Sequence, residues 1–184
     1  MSTFEFTITL FSIVLAIAIA RILGGVADLI KYRAVLERIP FYTLWLIYLS
    51  LIPVGWWFFV WSLRDIEIIT LPQFFSLFIV PVTIFISSRL LIPEDADFAD
   101  IEANFDRVRI PFLLILSCSI LVPAGLLSIQ QGDFVLARLV LVPVGLVILS
   151  GVFFSHIVYQ YIVVSLANIG YLYFLFTFRY SIGG

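Results

Sequence analysis

The chain has 184 residues, of which 63% are hydrophobic and 12% charged, with a net charge of −2 and a mean hydropathy of +1.19. Soluble globular domains carry roughly a quarter charged residues, so this composition excludes a water-soluble domain and predicts an all-α bundle of transmembrane helices forming one domain over residues 1–184. No basic patch offers a footing to nucleic acid. The single cysteine, Cys118, rules out an intrachain disulfide and reads as a small packing residue in an apolar run.

A helix needs about 20 apolar residues, in a range of roughly 17 to 25, to cross the hydrocarbon core. Segments 4–23, 41–63, 70–92, 108–128, 134–152 and 157–178 meet that requirement, which predicts six spans. In the first, Ala16, Ala18 and Ala20 imitate a signal-peptidase site. No Lys or Arg precedes the run, and it is longer than a usual signal core, so a first membrane helix is the expectation. Within it Ser12, Ala16, Ala20 and Gly24 recur every four residues, with Asp28 next in the series. Residues at that spacing share one helical face, and a stripe of small residues lets a second helix approach closely.

Residues 21–38 extend the first helix towards the headgroups with interfacial charges, and Pro40 resets the chain before the second span. That span ends on Trp56, Trp57 and Trp61, an aromatic belt suited to anchoring at the membrane surface. After the third span, an acidic loop over 93–107 holds Glu94, Asp95, Asp97, Asp100, Glu102 and Asp106, half of the chain's acids. It lacks the central Gly and terminal Glu of a calcium-binding hand. Phe98, Ile101 and Phe105 instead predict a short amphipathic helix lying on the membrane.

In the fifth span, Arg138 has Glu5 or Asp133 as candidate ion-pair partners. A turn is expected over Gly151 to His156, where Gly, Ser and the only His interrupt a run otherwise twice the bilayer thickness. His156 is the one residue able to ligate a haem or chlorophyll-type pigment, though no second ligand accompanies it and no cofactor is expected.

Arg21, Lys31, Arg33, Arg38, Arg89, Arg107 and Arg109 fall on one side of a six-span topology, and Arg64, Arg138 and Arg179 on the other. The positive-inside rule then puts the first and third loops in the cytoplasm and both termini outside. Charges inside the spans are scarce, and the deeper polar residues Ser12, Thr83, Ser117, Ser119, Ser165 and Asn168 suit bonds to backbone carbonyls.

A short signature recurs as Leu-Ile-Pro53-Val-Gly55, Leu-Val-Pro123-Ala-Gly125 and Leu-Val-Pro143-Val-Gly145, with a looser copy around Pro81. Each Pro removes an intrahelical hydrogen bond and frees a carbonyl one turn earlier. Such breaks mark substrate cavities in transporters built from inverted repeats, and Pro53 and Pro143 occupy equivalent spans if the chain is two sets of three helices.

The run Ala20-Arg21-Ile-Leu23-Gly24-Gly25, the tract from Gly55 to Trp61 and the acidic loop after Pro93 resemble a loosely defined set of small six-helix bacterial inner-membrane proteins of unknown function. The resemblance implies a bundle in the inner membrane and assigns no residue a role. No metal-, nucleophile- or phosphate-binding motif of an enzyme is present. The sequence thus points first to a non-catalytic membrane protein acting through helix association, with itself or with other subunits. A small-solute or ion transporter or channel built on the proline breaks is the alternative, and a haem- or pigment-binding subunit the third reading.

Overall fold

A computed structural model describes residues 3–31, 40–61, 70–92, 101–128 and 135–177. These form six α-helices: α1 Thr3–Lys31, α2 Pro40–Trp61, α3 Leu71–Leu91, α4 Ile101–Ser128, α5 Val135–Ser150 and α6 Ile157–Thr177. The all-α transmembrane class is the observed one: five helices are long and apolar enough to cross a membrane. α5, with 16 residues, is about 24 Å long, short of the ~30 Å hydrocarbon core.

Packed pairs close a circuit running α1, α3, α4, α5, α6, α2 and back to α1, with α2 also touching α3. A three-plus-three repeat predicts otherwise. α1 packs on α3 and α2 on α6, whereas the corresponding α4–α6 and α5–α3 pairs make no comparable contact among the described residues.

Aromatic rings fill one end of the bundle. Phe41 at the start of α2 meets Phe105 of α4 at 4.8 Å and Tyr161 of α6 at 5.7 Å, and Trp45 stands edge-on to Phe112 at 5.2 Å. Tilted and edge-to-face rings at these separations add stabilisation beyond their burial. Towards the other end of α2, Phe11 of α1 packs against Trp56 at 5.7 Å and Phe74 of α3 at 5.3 Å. Outward faces carry Ile13, Ile17 and Leu23 of α1, Leu146 of α5 and Phe176 of α6, all exposed and suited to lipid.

Two sequence expectations change here. Residues 101–107, assigned to the acidic loop, are the first two turns of α4 and continuous with its span. Phe105 lies one heptad before Phe112 on the same face, so its ring enters the core at 3% exposure, where an interfacial helix would have left it in the headgroups. Cys118, expected to pack inside, is exposed on the bundle's outer surface. Glu94, Asp95, Asp97 and Asp100 lie outside the described residues.

Candidate functional site

The small-residue stripe and the proline breaks come apart in the structure. On α1 the inward face is Thr7, Phe11, Leu15, Ala18 and Ile22. Successive residues turn about 100°, which carries Ala16, Ala20 and Gly24 to the opposite side, where all three are exposed and Ser12 is half-buried. A β-carbon added at Gly24 would meet nothing within 4 Å among the described residues. Ser12 donates to Ile8 O at 2.6 Å, which uses its hydroxyl within the helix. Beside the stripe, Ile19 and Leu23 face Pro53, Val54 and Trp57 of α2 across an open apolar crevice.

Of the break residues, Gly55 and Pro123 line a cavity of about 90 Å³ encircled by α2, α3, α4, α5 and α6. Trp56 and Phe59 add to the α2 wall and Val80 to the α3 wall. Ser119 and Ala124 of α4, Leu141 of α5, and Tyr171 and Phe174 of α6 complete it. The other break residues sit elsewhere: Pro81 is buried, Pro143 and Gly125 face outward, and Gly145 is pressed under Leu121 of α4.

Gly55 is required where it is, because a β-carbon there would collide with the Tyr171 hydroxyl and lie 2.7 Å from Leu175 Cδ2. The polar atoms of the wall are turned to the backbone: Tyr171 Oη donates to Ile52 O at 3.1 Å and Ser119 Oγ to Leu116 O at 2.6 Å. Trp56, expected in the interfacial belt, is only 5% exposed, whereas Trp57 at 39% and Trp61 at 40% face outward as a belt requires. Among the described residues the Trp56 indole N–H has no hydrogen-bond partner, and no charged side chain lines the cavity.

Charged side chains are instead spent on helix ends, where the last carbonyls have no intrahelical partner and carry the negative end of the dipole. Arg21, half-buried on α1, donates to Ile92 O at 2.9 Å, and Tyr42 Oη of α2 donates to Leu91 O at 2.7 Å, so two helices hold the end of α3. At the other such end, three bonds of i to i+3 type, from the N–H groups of Gly151, Val152 and Phe153, tighten the last turn of α5. Arg109 of α4 then donates to Gly151 O at 2.7 Å, Val152 O at 3.2 Å and Phe154 O at 3.3 Å. Gln160 Nε2 donates to Gly151 O at 2.8 Å and Phe154 O at 2.6 Å.

The chain reverses over 151–156 where expected, and His156 Nδ1 accepts the Val158 N–H at 3.3 Å, capping α6. Asn168 Nδ2, inside the bundle, donates to Leu44 O of α2 at 3.1 Å and to Val164 O at 2.9 Å.

From the sequence, Arg21 reads as an interfacial charge and Arg109 serves only to orient the chain, because the carbonyls they reach belong to helices distant in sequence; Gln160 gives no signal there at all. Of the ion-pair set expected around Arg138, Glu5 is exposed on α1, while Asp133 and the Arg138 side chain lie outside the described residues. Among the described residues no group of three or more His, Cys, Asp or Glu could hold a metal ion. Compared with protein-family models, with curated proteins and with solved structures, the chain matches none.

Proposed function

We propose that the chain is a non-catalytic integral membrane protein that works through helix–helix association, as a homo-oligomer or as a subunit of a larger membrane complex. The observation that carries this reading is the open face of α1: Ala16, Ala20 and Gly24 point away from their own bundle, with no atom of the described residues within 4 Å of a β-carbon built on Gly24. Within a single chain a small-residue stripe normally lies against a neighbouring helix, since its use is close backbone approach. In this reading the neighbour comes from another chain. A bacterial inner membrane is the setting this reading adopts, with the Arg21 and Arg109 end of the bundle towards the cytoplasm.

The transport alternative draws no support from the cavity, whose two hydroxyls are bonded to backbone and whose wall, with the Trp56 indole N–H as its one unpartnered donor among the described residues, offers a hydrated solute little to replace its water. The test of association is Gly24→Leu, which adds a bulky side chain at the end of the small-residue stripe without touching the chain's own core. Energy transfer between labelled proteins in vesicles, and mass measurement after gentle extraction, should both show assembly falling at least fivefold. Equal assembly of wild type and variant overturns the reading.

A further inference from the structure

We propose that the cavity between α2, α3, α4, α5 and α6 binds a hydrocarbon chain of a membrane lipid. It is built by five helices and receives nothing from α1, so it stands independently of the association reading. Three properties select the occupant.

The first is polarity. A buried water needs two to four polar partners; the two hydroxyls in the wall, of Ser119 and Tyr171, already donate to backbone carbonyls, and the Trp56 indole N–H offers one further donor, too few to hold a water. The second is size. A hole of about 90 Å³ is smaller than the ~150 Å³ engineered cavity that takes benzene, so it holds only a short stretch of a chain whose remainder stays in the bilayer. The third is supply. The space is partly open, and the molecules surrounding such a protein are lipid chains at very high concentration. An empty apolar hole forfeits the dispersion contacts of every atom lining it, and a chain entering it restores them. Pro123 and Gly55 shape this space. Pro123 breaks the hydrogen bonding of α4 one turn beyond Ser119, and Gly55 brings α2 against Tyr171 while leaving no side chain of its own in the gap.

Trp56 is a reporter already placed in the wall. Replacing Trp45, Trp57 and Trp61 by Phe leaves it as the single tryptophan, and the protein is then placed in phosphatidylcholine vesicles whose chains are either plain or brominated at mid-length. Bromine quenches indole fluorescence over short range. Trp56, although only 5% exposed, should lose at least half its emission in brominated lipid, and Ala124→Leu, which fills the cavity from α4, should restore most of it. A companion protein keeping only Trp57 should be quenched equally with and without Ala124→Leu, which shows that the variant is folded and still surrounded by lipid. Should Ala124→Leu fail to fold, Leu141→Phe fills the same space from α5.

Quenching of Trp56 that neither filling variant relieves overturns the proposal, as does emission unchanged by brominated lipid. Quenching by added 1-bromodecane in plain vesicles, without quenching by brominated lipid, assigns the site to a free lipophile and overturns the lipid as occupant.

Discussion

At Gly55 a β-carbon would collide with the Tyr171 ring and displace its hydroxyl from Ile52 O. At Gly125 it would meet nothing within 4 Å among the described residues. The two occupy the same place in the repeated Pro-x-Gly signature, so the sequence treats them alike and only packing separates them. Overfilling a packed site costs about 1–3 kcal/mol, whereas Ala for Gly in an open helix position gains up to about 1 kcal/mol. Gly55→Ala should therefore lower the thermal unfolding temperature in detergent, and Gly125→Ala should leave it unchanged or raise it. The opposite order would mean that α2 and α6 do not approach as described. Arg109 offers a second residue-scale test, since its guanidinium binds three carbonyls from the turn that joins α5 to α6. Hydrogen bonds to a charged group contribute roughly 1.5–3 kcal/mol each way they are measured. Arg109→Met should lower the unfolding temperature by about 4–8 °C, while Arg107→Met, at an exposed position two residues earlier, should change it little.

At the scale of the element, what the sequence showed depended on whether the deciding partner was near in the chain. The turn at 151–156, the outward Trp57 and Trp61 and the bounds of α2, α3 and α6 follow from local hydrophobicity and breakers. The stripe on α1 was legible as a face, but which face turned inward was decided by Phe11, Leu15 and Ile22 finding α2 and α3, a long-range matter. α4 shows the same limit most clearly. Its acids suggested a loop, and only the pairing of Phe105 with Phe41 at 4.8 Å and Phe112 at 6.3 Å explains two further helical turns. That difference is measurable. A Phe lying in the headgroups is replaced at small cost, whereas truncating a buried Phe costs about 3–5 kcal/mol. Phe105→Ala should destabilise the bundle strongly in a denaturant titration; a loss below about 1 kcal/mol would return residues 101–107 to the membrane surface.

For the whole molecule, the circuit of packed helices makes every element but α5 a full-length span, and α5 decides the topology. It packs between α4 and α6, and its C-terminal turn is held by Arg109 near the start of α4 and Gln160 near the start of α6. Those two starts therefore share an end of the bundle with the end of α5, an arrangement that predicts a crossing by α5 despite its length. Local thinning of the bilayer, at a cost of a fraction of a kcal/mol per Å, accommodates a short helix. The same end holds the Arg21 and Tyr42 bonds to the end of α3, so the Arg-rich side named by the positive-inside rule is also the side where charges are fixed by carbonyls. Cysteine labelling in a Cys118→Ser background tests the arrangement. Cysteines replacing Ala34, Ala96 and Ser155 should react with a membrane-impermeant maleimide only after cytoplasmic access is opened, and those replacing Glu67 and Gln131 should react from outside intact cells. If Ser155→Cys labels together with Gln131→Cys, α5 does not cross and the six-span bundle fails; if all five labels exchange sides, the bundle stands and its orientation is reversed.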